Sequence, residues 1–156
     1  MPKYLLDTNA CIGIRNSLRG VAAKDPARRE AQSRLVARLK ATPANELAMS
    51  VFTMGELMLW VEKHANPAQA RQLTQQVAQQ VRVLGCPACA EHGQASDELS
   101  SHYAAIRAEL EAEGEVIADN DLWIAAHARA LNLTVVTNNT RHFGRVPGLA
   151  VEDWTA

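Results

Sequence analysis

Five short apolar runs, KYLLD, ELAMS, VRVLGC, LTVVTNN and LAVEDW, are spread through a chain whose intervening segments carry helical periodicity. Each run is long enough for one short buried strand and no more. TNACIGIRNSLRG reads as a helix with Thr8 or Asn9 at its N-cap and Gly20 at its stop. In DPARREAQSRLVARLKAT, Asp25 caps, Pro26 takes the first helical position, and Leu35, Val36 and Leu39 share a face before Pro43 ends the helix. VFTMGELMLWVEKHA places Met54, Met58 and Val61 at helical spacing, and Pro67 opens a further helix to about Val81. Another is expected from about Cys89 to Ala112, stopping at Gly114, and ADNDLWIAAHARALN forms one that ends at Asn132. Strands alternating with helices in this way specify a three-layer α/β fold with a mainly parallel sheet. At 156 residues, 47% of them hydrophobic, the chain suits a single domain over 1–156 with an ordinary core.

Several function classes drop out on composition. The most apolar stretch, Leu47 to Val61, is interrupted by Ser50, Thr53, Gly55 and Glu56, so no membrane span is expected. Lys3 is followed by only three apolar residues before Asp7, which is no secretory start, and a cytoplasmic location is expected. Three cysteines supply no disulfide framework. Cys86, Cys89 and His92 spell C-x-x-C-x-x-H, but a closed zinc site takes four ligands and there is no second pair, so these read as loop residues.

The net charge of −1 conceals an uneven distribution. Half of all Lys and Arg lie between Arg15 and Lys40, including Arg28, Arg29, Arg34 and Arg38, against only Asp25 and Glu30. Such a segment suits phosphate contact or an acidic partner, and equally a solvated helix face.

In open α/β sheets, ligands gather beyond the carboxyl ends of the strands. Asp7 ends the first run, Thr137, Asn138 and Asn139 end the fourth, and Asp119 and Asp121 open the helix that leads to it. Asp7, Glu56 and Asp121 each interrupt an apolar pattern. Taken singly, Asp7 is a helix cap, Glu56 an exposed helix residue and Asp121 an N-cap; taken together they fall on one edge. Hard divalent cations such as Mg²⁺ and Mn²⁺ bind carboxylate and water oxygens, and a cation relieves repulsion among crowded acids and activates water for attack on phosphorus.

The segments LLDTNACI, SVFTMGELMLWVE and IADNDLWIAAHARALNLTVVTNNTRHFGRVPGLAVEDW resemble PIN-domain ribonucleases, and among them the VapC-type toxins of type II toxin–antitoxin (VapBC) pairs. The resemblance covers essentially the whole chain and is strongest over Tyr4 to Cys11 and Ile117 to Trp154. Its specific part is the combination L-D-T-N, S-x-x-T-x-x-E-L, D-L-x-I-A-A-H-A and T-N-N-x-x-x-F. It implies an α/β/α PIN-like domain that cuts RNA, with transfer RNA the leading class, using Mg²⁺ or Mn²⁺ held by Asp7, Glu56 and Asp121. Asn9, Ser50 and Thr137 match supporting polar positions. Many relatives carry a fourth acid where this chain has Asn139, which puts a second cation in doubt; Asp119 could add charge nearby, although an i, i+2 pair on a helix diverges. The resemblance further implies a homodimer held inactive by a VapB-type antitoxin. Arg28, Arg29, Arg34, Arg38 and Arg141, with His142, are candidate RNA contacts, and His127 is a packing or helix-surface residue. Neither Cys11 nor a histidine is needed as nucleophile.

Other strand-end aspartate chemistries fit poorly. A haloacid-type phosphatase needs a second Asp where Asn9 stands, and a receiver-type phosphoacceptor needs a late lysine, whereas no lysine follows Lys63. The remaining alternative is a PIN-like RNA- or partner-binding protein with little catalytic power.

Overall fold

The computed structural model describes residues 1–86 and 94–156. Among the described residues the chain runs β1 (Tyr4–Leu6), α1 (Thr8–Leu18), α2 (Pro26–Ala41), a 3₁₀ turn (Ala44–Glu46), β2 (Leu47–Ser50) and α3 (Val51–Lys63). It continues through α4 (Pro67–Gln80), β3 (Arg82–Leu84), α5 (Gln94–Ala112), α6 (Asp119–Ala130), β4 (Thr134–Val136), α7 (Thr140–Phe143) and β5 (Val151–Glu152). The strands form one sheet in the order β3-β2-β1-β4-β5, and every pairing is parallel. Leu5 sits opposite Ala48 on one side and Val135 on the other.

This order has a functional consequence. From β1 the chain first adds strands on one side, then crosses to add β4 and β5 on the other, so the connections diverge between β1 and β4. A crevice opens at such a switch point, at the carboxyl ends of the two strands. Asp7 and Thr137 are the residues that leave those two ends.

Side chains of a strand alternate between faces, and the core divides accordingly. Leu5, Ala48 and Val135 pack on one face with Ile106, Leu110, Leu122 and Ala125 of α5 and α6. Tyr4, Leu6, Met49 and Val136 pack on the other with Cys11 and Ile14 of α1, Leu35 of α2, Leu57 of α3 and Val77 of α4. Two helical layers around a sheet are thus realised as the pattern predicts. Trp123 of α6 stacks on Tyr103 of α5 at 3.9 Å between ring centroids and on Phe52 of α3 at 5.4 Å, tying three helices at the edge where α6 begins.

Helix ends follow their local chemistry with one correction. Asp25 caps α2, its carboxylate accepting from Arg28 N at 3.1 Å. The cap of α1 is Asp7 itself, not Thr8 or Asn9: its backbone is extended and Oδ1 accepts from Ala10 N at 2.8 Å. All three residue types cap well; the strand's extended geometry persists through Asp7 and helical geometry starts at Thr8, which decides it. At the end of α6, Asn132 adopts a left-handed conformation (φ 53°) while Leu133 N donates to Ala128 O, closing the last turn.

Three further differences concern faces and short elements. On α3 the buried stripe is Thr53, Leu57 and Val61, with Met54 and Met58 only half-buried. His127 is fully buried, a packing residue and not a helix-surface one. The four-residue α7 has no counterpart among the elements expected from the sequence. Cys86 is exposed and free, whereas Cys89 and His92 lie outside the described residues, as does the expected start of the α5 helix. Among the described residues no helix is long and apolar enough to cross a membrane.

Candidate active site

Asp7 is the centre of the carboxyl edge. Its carboxylate is held on both oxygens: Oδ1 by Ala10 N–H, and Oδ2 by Thr137 Oγ1–H at 2.5 Å from the neighbouring strand end. Thr137 Oγ1 in turn accepts from Asn139 N at 2.9 Å. One hydroxyl therefore connects the first turn of α1 with the start of α7. Asp7 is 3% exposed, and burial pushes its carboxyl up from 3.8 to about 6. The Thr137 and Ala10 hydrogen bonds oppose that rise, while the charges of Asp121 and Glu56 add to it. Asp121 is shifted upward as well, first by burial; the neighbouring His142 ring opposes the rise and the charge of Glu56 adds to it. The charge of Glu56 on α3 thus acts on both Asp7 at the end of β1 and Asp121 on α6, and that of Asp121 acts on Asp7.

Each acid also has a neighbour that orients it. Glu56 Oε1 accepts from Asn120 Nδ2 at 2.6 Å, so the first turn of α6 reaches across to the second turn of α3. Asp121 Oδ2 stands 3.7 Å from His142 Nδ1, and the same ring nitrogen lies 2.9 Å from Asn139 Nδ2. Asn139 thus takes part in the site as an amide that positions His142. Asp119 is directed elsewhere: its carboxylate accepts from Tyr103 Oη at 3.3 Å and pairs with Arg107 at 3.4 Å, as the divergence of an i, i+2 pair requires. Asn9 is exposed and its amide donates to Asn138 Oδ1 at 3.4 Å.

Ser50 supports the site from below. It is fully buried at the end of β2, caps α3 by accepting from Phe52 N at 3.2 Å, and its Oγ lies 2.8 Å from His127 Nδ1. Burial lowers the pKa of the His127 imidazole, favouring the neutral ring. With Phe52 N–H already donating to the serine oxygen, the hydroxyl proton is available to Nδ1. The helix carrying Asp121 is thereby pinned to the start of the helix carrying Glu56. Sequence reasoning did not find Asn120 as a partner of Glu56, nor the Ser50–His127 pair. The only local signal for Asn120 was its place beside Asp121 in the first turn.

The oxygen donors suit a hard divalent cation chemically, and their mutual repulsion is what such an ion relieves. Among the described residues no three His, Cys, Asp or Glu side chains close tightly enough to enclose an ion as they stand; each of the three acids instead faces a neighbouring residue. Cys11, behind Asp7 in the core, has its thiol pushed far up by burial and is no nucleophile.

The basic residues separate. Arg15 is 8% exposed and stacks on Trp60 of α3, its guanidinium carbon 3.9 Å from the ring centroid. Arg29 donates to the carbonyls of Ala23 and Lys24, holding the loop before α2. Arg34 pairs with Glu30, and Arg38 with Glu152. Among the described residues, Arg28 and exposed Arg141 carry no ion pair.

Known proteins are similar to the chain over most of its length. A family model described as "PIN domain" matches residues 4–149. The tRNA(fMet)-specific endonuclease VapC of Shigella flexneri is 32% identical over 156 residues, which are 99% of this chain and 100% of the relative. Ribonuclease VapC2 of Rickettsia felis is 31% identical over 151 residues, 97% of each chain. Among solved structures, DNA-bound VapBC from Salmonella typhimurium superimposes with a TM-score of 0.77 at 29% identity, covering 99% of each chain. With the family model matching most of the chain and relatives above 30% identical along almost their whole length, the chain belongs to the PIN-domain family, and within it to the VapC branch.

Proposed function

We propose that this chain is the toxin of a type II toxin–antitoxin pair, a single PIN domain over 1–156 that cuts RNA endonucleolytically with Mg²⁺ or Mn²⁺. Asp7, Glu56 and Asp121 would hold the ion. When bound, a divalent cation supplies an activated water and neutralises charge developing on the phosphodiester. The protein's own part is orientation. Ala10 N–H and Thr137 aim both oxygens of Asp7, Asn120 aims Glu56, and His142, held by Asn139, stands beside Asp121. Asn139 brings no charge, so the set favours one cation over two. The observation that supports this reading is that the charges of Glu56 and Asp121 both act on Asp7, and that of Glu56 on Asp121. Transfer RNA is the substrate class favoured by the name of the Shigella flexneri relative. A VapB-type antitoxin, a homodimeric state and a cytoplasmic location follow the family.

Digestion of total RNA with Mg²⁺ or Mn²⁺, by the wild type beside Asp7→Asn and Asp121→Asn, tests it. Cutting by the wild type alone is expected. Equal cutting by all three refutes the site, and no cutting by any favours an RNA- or partner-binding PIN-like protein, which Asn139 makes the second reading.

A further inference from the structure

A cleft of about 460 Å³ runs between α1 and α2, from Asn9, Thr137 and Asn138 at the sheet edge to Arg28 on the first turn of α2. Its size lies within the range of small-ligand sites, roughly 300–1,000 Å³. Thr137 belongs to both places: its side chain binds Asp7, and it lines the cleft. Through Thr137 the cleft adjoins Asp7, which does not itself line it.

The lining has a specific chemistry. Four neutral amides, Asn9, Asn16, Gln32 and Asn138, stand over a floor that includes Ile12 and Leu35. Among the described residues no carboxylate lines the cleft, Arg28 is the one cation that does, and it carries no ion pair. Gln32 uses one N–H on Val21 O at 3.3 Å and keeps its oxygen and second N–H. Asn138 accepts from Asn9 and keeps its own N–H groups. The helices approach closely here because residue 13 is glycine; a Cβ there would stand 2.7 Å from Leu35 Cδ2.

Paired donor–acceptor amides over an apolar floor, with a lone cation at one end, match the requirements of an unpaired nucleobase followed by a phosphate. Amide side chains read base edges two bonds at a time, and single-stranded bases splay into such pockets. A run of cations would instead mark backbone tracking. We propose that this cleft is a base-reading subsite for one unpaired nucleotide beside the scissile phosphate, with Asn16 and Gln32 contacting the base edge and Arg28 the flanking phosphate. The proposal rests on the ribonuclease reading above, and assigns to the α1–α2 cleft the choice of where a single-stranded region is cut.

Two measurements separate the outcomes. In the first, a randomised single-stranded RNA pool is digested by the wild type, Asn16→Ala and Gln32→Ala, and the new ends are sequenced. A preference of about tenfold at one position beside the cut is expected in the wild type, falling to about twofold or less in the variants. A positional profile unchanged in both variants while the wild type cuts overturns the subsite and leaves the ribonuclease intact. In the second, a labelled single-stranded oligonucleotide is titrated in EDTA, so that no cutting is required. Arg28→Ala, at a side chain with no hydrogen-bond or ion-pair partner among the described residues, is expected to weaken binding about fivefold or more and to reduce the salt slope by about one. Unaltered affinity and slope overturn the phosphate contact even if the ribonuclease reading has already failed in the cutting assay. Variants that lose an antitoxin peptide but keep RNA affinity and profile overturn the proposal in favour of a peptide occupant. Thermal melts of all three variants confirm that a loss is not unfolding.

Discussion

Asp7 gives the sharpest test, because the residue proposed to hold the ion also burdens the fold. A carboxyl held at about 6 in place of 3.8 costs the metal-free protein about 3 kcal/mol when it ionises, at 1.36 kcal/mol for each tenfold change in proton affinity. Folding raises this pKa, so the stabilising form is the protonated one. Its contribution is fully present below 3.8 and is lost as pH rises through about 6. Asp7→Asn removes the charge while keeping an oxygen for Ala10 N–H. It forfeits the Thr137 hydrogen bond to Oδ2, a loss of about 1 kcal/mol. In EDTA at pH 7.5 the variant is therefore expected to be more stable than the wild type by about 2 kcal/mol, or about 4–8 °C in Tm for a chain of this size. Near pH 4.5 the two effects cancel and the advantage disappears. Added Mg²⁺ or Mn²⁺ should raise the wild-type Tm and leave the variant's nearly unchanged. Thermal unfolding followed by circular dichroism at the two pH values, with and without cation, reads all of this. A variant less stable than the wild type at pH 7.5 in EDTA, or equally advantaged at both pH values, refutes the assignment of Asp7 as a strained ionised ligand.

Other perturbations follow the same contacts. Thr137→Val removes the hydroxyl that holds Asp7 down, so the acid limb of the cleavage–pH profile should move to higher pH; an unmoved limb would separate Asp7 from catalysis. Glu56→Gln removes a charge that raises both Asp7 and Asp121 while leaving an oxygen for Asn120. Cleavage should fall at least about a hundredfold while the metal-free Tm at neutral pH rises, and a Tm that falls would contradict the shared field. His127→Ala empties a fully buried ring position and strands the Ser50 hydroxyl; urea unfolding should show a loss of about 3–4 kcal/mol, and a loss under about 1 kcal/mol would mean that the pair does not pin α6. Arg34→Ala breaks an exposed pair with Glu30 and should change stability by less than about 1 kcal/mol, measurable by the same denaturation.

The local periodicities were enough to place five strands and most of the helices, because alternation and helical spacing are consequences of burying one face. The end of β1 at an acid, the cap at Asp25 and the stop at Asn132 are likewise short-range: each depends on residues within one turn. Asp7, Glu56 and Asp121 were visible as polar interruptions of apolar runs, and the resemblance named their role. What the chain alone could not decide was everything carried by distant pairs. The cap of α1 turned on how far the strand's extended backbone persists, and β1's pairing on both sides sets that. Four residues of α7 are too few to show a period. Asn120 and Glu56 are 64 residues apart, Ser50 and His127 are 77, and Asn9 and Asn138 are 129. The strand order brings them together, and no window of sequence contains both members. The same holds for charge: the basic segment looked continuous, yet packing buries Arg15 on Trp60, spends Arg29 on a loop and leaves Arg28 facing a cleft. Residue type and spacing determined which chemistries were possible; the meeting of β1 and β4 at the switch point decided which residues share a site.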